Sequence, residues 1–364
     1  MLEFLPTVPT PMNSQWQTFL EQHGARSVAA VVTDFGDPVG ELCSVENSRV
    51  LCDLSHFALI DIQGADAASF MQGQFCNDVR DVTEAHSQLN GHCTPKGRLL
   101  ASFRLFKHDG HYYLRLPASL RDTLSKRLRM YVLRAKLNII DAPESWVGFG
   151  FAGPDADQAM HAALGAVPAQ INAVIAAKGA LVLRIPGPQP RFEIYGENTA
   201  LQSLWNTLAS DARGVGAGIW SLLDIRSGLA TILPQTTEAF VPQMVNLQQV
   251  GGVSFTKGCY PGQEVVARMQ YLGKLKRRMY RAHIATDSAP QPGESLYTAH
   301  AETGQDAGMI VDAQAAPQGG YEVLAVVQCA DVELGDVRLD GPQGAVLKFL
   351  DLPYTLDDMT QQQA

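Results

Sequence analysis

Residues 257–268 read KGCYPGQEVVAR. Within them stand an ammonium, a thiol, a phenol, an amide and a carboxylate: Lys257, Cys259, Tyr260, Gln263 and Glu264. A structural cysteine prefers apolar neighbours. Cys259 instead follows Lys257 by two positions and precedes a Pro261–Gly262 turn that opens a helix. A nearby cation and a helix N-terminus both favour a thiolate, so Lys257 and this helix are expected to activate Cys259. Such a thiol suits a nucleophile, a redox group or a transient iron or sulfur ligand. The plainer reading is a packed cysteine beside a tight turn. Lys257 would hold the thiolate or a ligand carboxylate, or would be a solvated loop lysine. Gly258 and Gly262 suit backbone positions that need close approach or positive φ. Glu264 complements the helix dipole, and either Gln263 or Glu264 could bond the donor edge of a flat heterocycle. Arg268 lies one turn beyond Glu264, where an i,i+4 ion pair is its plain role.

Other elements must position that stretch. Trp16, Phe19 and Leu20 fall at helical spacing over 15–23, ended by Gly24. AAVVTDF and ELCSV read as short extended pieces around an FGDP turn. FALIDIQ at 57–63 alternates as a strand and runs into a helix capped by Asp66. LLASFRLF, HDG and HYYLRL make a hairpin over 99–116. Leu120, Leu124, Leu128 and Tyr131 mark one face of a basic helix, either a solvated face or a docking surface. LNIID closes a strand–helix–hairpin–helix–strand order of ferredoxin-like type. A looser second copy follows: WVGFGFAG, DADQAMHAAL, ALVLRIP with RFEIYG, and NTALQSLWNTLAS. SLLDIRSG is a helix ended by Gly228. After Lys276-Arg277-Arg278 short strands and turns dominate to about residue 350, as in a small all-β unit. The proline-rich start and the tail MTQQQA carry no element.

The chain has 364 residues, enough for two or three domains, with 46% apolar and 18% charged residues. Its net charge of −9 argues against broad nucleic-acid binding, which rests on many Lys and Arg contacts. No apolar run reaches membrane-spanning length, and the N-terminus lacks a signal or transit pattern, so the expected compartment is the cytoplasm. The six cysteines, at 43, 52, 76, 93, 259 and 329, form no C-x-x-C pair and no zinc spacing. They are read as reduced, five of them small buried hydrophobes and Cys259 the exception. No resident metal is expected. P-loop, dinucleotide, zincin and serine-hydrolase motifs are absent; GVGAG at 214–218 has the wrong spacing.

Three longer stretches carry a family resemblance. They are DLSHFALIDIQGADAASFMQGQFCNDV at 53–79, TPKGRLLASFRLF at 94–106 and FVPQMVNLQQVGGVSFTKGCYPGQEVVARMQYLGK at 240–274, with LPYTLDD near the end. Together they resemble the YgfZ family of folate-binding, tRNA-modifying proteins, in the superfamily of the glycine-cleavage aminomethyltransferase, or T-protein. The resemblance implies an α+β fold: two interleaved ferredoxin-like domains and a C-terminal small β-barrel around a central folate site. The expected divisions are 15–145, interleaved with part of 215–275, then 146–275, then 277–355. The resemblance also implies tetrahydrofolate or a derivative as cofactor. The role implied is that of an accessory protein for synthesis or repair of iron–sulfur clusters, with iron–sulfur client or assembly proteins as partners and a tRNA methylthiolation enzyme among the clients. Cys259 and Lys257 would carry the chemistry. Gly258, Tyr260, Gln263, Glu264, Arg268, Arg226, Gln243 and Asn246 would line the folate.

Two departures bear on the alternative, a C1-transfer enzyme of aminomethyltransferase or demethylase type. The aminomethyltransferase branch has an acidic pair after its glycine pair. Here the matching residues are Lys96-Gly97-Arg98-Leu99-Leu100-Ala101, with no carboxylate. The same branch has a pterin-binding glutamate in an L-E-A-G stretch. Arg226 stands at that position in Asp224-Ile225-Arg226-Ser227-Gly228. A binding scaffold without chemistry is a third reading, one that would tolerate loss of the Cys259 thiol.

Overall fold

The computed structural model describes residues 13–271, 275–299 and 307–356. The proline-rich start, residues 272–274 at the end of the motif stretch, most of the ETGQDAG segment and the polar tail lie outside the described residues. The fold is mixed α+β. The chain divides into two compact units, each assembled from three separate stretches: 1–67, 81–88 and 104–220, and then 68–80, 89–103 and 221–364.

The first unit is built on a six-stranded sheet. Its spatial order is Val174–Ala177, Ala180–Arg184, Arg191–Glu197, Trp146–Ala152, Val50–Asp53 and Arg213–Val215. All pairs are antiparallel except the last, where Val50–Asp53 runs parallel to Arg213–Val215. The helix Ser14–Gln22 begins where Asn13 accepts a bond from the Trp16 N–H at 2.9 Å. Trp16, Phe19 and Leu20 then pack with Phe149, Phe151 and Trp205 in one core. The Trp16 indole donates to Asp53 at 2.8 Å. The expected hairpin is present: His108 pairs with His111 around Asp109 and Gly110, whose φ values of 49° and 82° suit a two-residue turn. Phe57–Gln63 pairs with both His111–Pro117 and Asn138–Asp141.

Two local readings are corrected here. ELCSV is not extended; Pro38–Ser44 is a helix, with the Asp37 side chain accepting from Gly40 N–H at 3.0 Å and Pro38 in the first turn. The pattern Asp-Pro is a helix start, since proline pre-sets the helical φ and lacks the N–H that would be orphaned there. The basic helix stops at Arg129, so Leu120, Leu124 and Leu128 are buried but Tyr131 is 43% exposed. Arg129 turns its guanidinium to the Ile139 carbonyl, which ends the turn.

In the second unit, residues 89–93 lead through the turn 94–97 into 99–103, the first half of the long strand Leu99–His108. The helix Ala217–Arg226 ends at Gly228, φ 64°. After it come a coil with two short 3-10 turns and the helix Gln263–Tyr271. The C-terminal region is a six-stranded antiparallel sheet, ordered Val337–Leu339, Ser295–Thr298, Gly308–Ala315, Tyr321–Gln328, Arg277–Ile284 and Leu347–Leu350. A single bridge between Arg338 and Val346 links its two edges, curling it into a half-barrel. The helix Cys329–Leu334 was not expected from the turn-rich sequence.

Asp312 lies in this sheet, at a register shift after Ile310. Burial pushes its carboxyl up to about 7; the Ala313 N–H, donating at 2.8 Å, works against this, and the nearby Asp224 carboxylate works with it. A carboxyl raised above its unfolded value binds a proton that the unfolded chain releases. Its stabilising contribution is therefore complete below about pH 4 and is lost as pH rises through about 7. Asp312→Asn removes that titration. Relative to wild type, its stability should therefore rise by about 2.5 kcal/mol between pH 5 and pH 8. Urea midpoints of both proteins at the two pH values check this, and parallel pH curves would contradict it.

Candidate functional site

The 94–97 turn and the Pro261–Gly262 turn meet face to face in the second unit. Gly97 has φ 72° and Gly262 has φ 83°. A Cβ on Gly262 would lie 2.4 Å from the Thr94 carbonyl oxygen and 2.7 Å from the Gly97 Cα. A Cβ on Gly97 would lie 2.9 Å from the Val265 Cβ. Two of the quoted sequence stretches are thus joined through a contact that only glycine allows on either side. Gly262→Ala combines an unfavourable φ with a backbone clash and should cost about 2 kcal/mol. A thermal melt checks it; an unchanged midpoint would show that the turns can separate freely. Gly258 differs from its expected role: its φ is not positive, and a Cβ there would meet no atom within 4 Å.

Lys257 is buried, 5% exposed. Its Nζ donates to the carbonyls of Gln72 at 2.9 Å, Phe75 at 2.6 Å and Asn77 at 2.9 Å, and lies 5.3 Å from the centre of the Tyr260 ring. An ammonium has three N–H donors, and all three are engaged. Burial pushes its pKa down to about 8. The three carbonyls favour the charged form, so the ammonium persists at neutral pH. The expected partnership of Lys257 with a thiolate or a ligand carboxylate is therefore corrected: its donors hold the segment 72–77. Cys259 itself is exposed, ahead of the helix. Tyr260 is buried and its phenol is pushed far up by burial. Of the other five cysteines, Cys52, Cys76 and Cys93 are buried as expected, whereas Cys43 is exposed and Cys329 is half-buried.

Two further expected residues sit beneath the motif helix. Gln243 is fully buried and donates through Nε2 to the Val266 carbonyl at 2.6 Å. Asn246, also fully buried, has φ 55° and donates through Nδ2 to the Met279 carbonyl at 2.9 Å and to the Tyr354 hydroxyl at 3.3 Å. Among the described residues, Gln243 Oε1 and Asn246 Oδ1 have no hydrogen-bond partner. A buried acceptor left unmade costs about 1–3 kcal/mol, a cost that a ligand donor would recover.

The remaining residues are placed differently. Gln263 is half-buried at the helix start, its N–H bonded to the Tyr260 carbonyl at 3.2 Å. Glu264 and Arg268 are both exposed. Arg226 does not stand free for a pterin. It binds Glu322 at 2.7 Å, and Arg281 binds the other oxygen of the same carboxylate at 2.6 Å. The two guanidiniums hold Glu322 ionised despite its burial. Arg98 donates to the Ala239 carbonyl, while Lys96 is exposed. No carboxylate occupies 96–101.

Sequence reasoning missed the acceptors of Lys257, because they are backbone carbonyls and carry no side-chain signature. It also missed Asn77, which donates to the Leu89 and Gly251 carbonyls at 2.9 and 2.7 Å. Among the described residues no group of three or more His, Cys, Asp or Glu side chains is arranged to hold a metal. Among them, too, no helix is long and apolar enough to cross a membrane.

Residues 34–222 match the GCVT N-terminal domain family. The tRNA-modifying protein YgfZ of Colwellia psychrerythraea is 32% identical over 308 residues, which cover 84% of this chain and 93% of that protein. The protein of the same name from Klebsiella pneumoniae is 30% identical over 308 residues, covering 85% and 94%. Among solved structures, the glycine cleavage system aminomethyltransferase T of Bartonella henselae aligns with a TM-score of 0.72 over 92% of this chain and 96% of that one. At 17% identity this is a likeness of fold.

Proposed function

Because the chain belongs to the YgfZ family and carries the GCVT N-terminal domain, we propose that it is a folate-binding accessory protein for the synthesis or repair of iron–sulfur clusters in client enzymes, tRNA-modifying ones included. The observation that supports folate most directly is the pair of buried acceptors without a partner among the described residues, Gln243 Oε1 and Asn246 Oδ1, the first on a side chain bonded to the motif helix at Val266. In this reading they accept from the pterin's donor edge, with Gln263 and Glu264 at the helix start and Tyr260 and Arg268 completing the lining. Tetrahydrofolate, when bound, supplies a reduced ring nitrogen that can carry a one-carbon unit. Cys259 is the exposed thiol that meets the client or its sulfur. Lys257 fixes the loop that presents it. The finer fold is part of the proposal: two interleaved ferredoxin-like domains and a C-terminal small β-barrel.

The aminomethyltransferase reading lacks its base. A positioned general base contributes roughly 10²–10⁴-fold, and residues 96–101 contain none. Calorimetry with tetrahydrofolate tests the folate half of the proposal. Wild type should bind, more weakly as salt rises because the glutamyl tail is anionic. Gln243→Leu and Asn246→Leu should each weaken binding about tenfold, as the loss of one hydrogen bond predicts. No heat and no thermal shift at millimolar ligand would remove the folate site.

A further inference from the structure

The basic helix Arg121–Arg129 takes no part in the proposed function. Asp122, Ser125, Lys126 and Arg129 recur on it at i, i+3, i+4 and i+7, and with Met130 they line an open groove. Ser125 is the buried member, 3% exposed, and its hydroxyl has no hydrogen-bond partner among the described residues. A buried hydroxyl left unbonded is costly, so a polar atom brought from outside the chain would relieve it. Arg129 is already held in place, its Nε and Nη2 donating to the Ile139 carbonyl at 3.1 and 2.8 Å. Asp122 accepts from Arg121 Nε at 2.8 Å, which offsets its charge. Beyond the helix, Ala135 N–H donates to the Val132 carbonyl at 2.8 Å and closes a turn with Leu133 at its second position. Leu133 has φ 44° and is 90% exposed. That backbone region suits glycine or asparagine, and water does not suit leucine. Met130 and Tyr131 are exposed as well, among the exposed cations Lys126, Arg134 and Lys136.

We propose that the groove and the Leu133 turn are a docking surface for an acidic, amphipathic segment of a partner protein. One carboxylate of that segment accepts from Ser125 Oγ beside Lys126 and Arg129, while an apolar residue packs on Met130, Tyr131 and Leu133. Clustered exposed apolar side chains mark an interaction site, and charge selects the partner. Residues 121–136 carry Arg121, Lys126, Arg127, Arg129, Arg134 and Lys136 against Asp122 alone, in a chain whose net charge is −9. This local excess attracts an anionic partner and orients it. RNA phosphates would use the cations but would leave the aliphatic Met130 and Leu133 in water, since nucleic-acid interfaces are predominantly polar and charged. The surface deepens the proposed accessory role, on which it rests, by giving client or assembly proteins a face to bind. Folate and Cys259 take no part in it.

The test titrates the full-length protein into a fluorescent amphipathic peptide of leucine and glutamate and reads anisotropy. Wild type should bind it, more weakly as salt rises, and should bind the same peptide with glutamine for glutamate at least about tenfold more weakly. Leu133→Gly removes the side chain but suits the backbone, so it should weaken the peptide about tenfold while the thermal midpoint holds or rises. Lys126→Glu combined with Arg134→Glu should weaken it about tenfold too. Ser125→Ala, which deletes an unbonded hydroxyl, should weaken it about threefold with no fall in the midpoint. Peptide binding that is absent, or indifferent to these variants, would overturn the proposal. So would an oligouridine that binds more tightly than the peptide and is lost in the charge variant, or self-association that is lost in Leu133→Gly. Returned to a strain lacking the protein, Leu133→Gly should restore iron–sulfur enzyme activity less than wild type does. Equal restoration would overturn this surface alone; no restoration by wild type would overturn the accessory role and the surface with it.

Discussion

Lys257→Met should lower the unfolding free energy by about 4 kcal/mol, measured by urea denaturation near pH 7. Methionine keeps most of the length and apolar stem of lysine but offers no donor. Three carbonyls, of Gln72, Phe75 and Asn77, would then lose a charged partner in a buried place. Hydrogen bonds from charged donors contribute about 1.5–3 kcal/mol each, and a buried polar group left unpaired costs about 1–3. Relief of the ammonium's own desolvation offsets part of the sum, and about 4 kcal/mol is what remains. Lys257→Arg keeps the charge but spreads its donors over a planar fork, so it should recover only part of the loss. A change below about 1 kcal/mol for the methionine variant would mean that the three carbonyls are served by water and that the lysine is not the anchor of the loop.

Much of this anchor was hidden in the sequence. The composition of KGCYPGQE sets the stretch apart from its surroundings, and the helix after Pro261 and the tight turn at Gly262 follow from residue type alone. The direction in which Lys257 points does not. A lysine two residues from a cysteine reads as its electrostatic partner, yet here the chain carries the ammonium toward backbone carbonyls 180 residues and more away in sequence. Arg226 shows the same limit. Its place in a glutamate position marked it as a departure, but its partner Glu322 lies in the half-barrel and has no local signal. The amphipathic elements were legible because burial imposes a period that residues display, as with Trp16, Phe19 and Leu20. ELCSV misled because its apolar residues suit a strand, while the deciding residues, Asp37 and Pro38, precede it. Gln243 and Asn246 came from the family pattern. That their side-chain oxygens lack a partner among the described residues has no sequence signature, because it depends on where every neighbouring donor lies.

Cys259→Ser should keep the fold and remove the function. The side chain is exposed, serine nearly matches its volume, and no packing is lost, so the thermal midpoint should stay within about 1 °C of wild type. What disappears is the thiol's nucleophilicity and its affinity for iron and sulfur, which a hydroxyl does not replace at neutral pH. The most direct measurement is the activity of iron–sulfur enzymes, a tRNA methylthiolating enzyme among them, in a strain lacking this protein to which wild type or Cys259→Ser is returned at equal abundance. Wild type should restore activity, and Cys259→Ser should leave it at the level of the empty vector. Full restoration by Cys259→Ser would contradict the account and reduce KGCYPGQE to a structural turn.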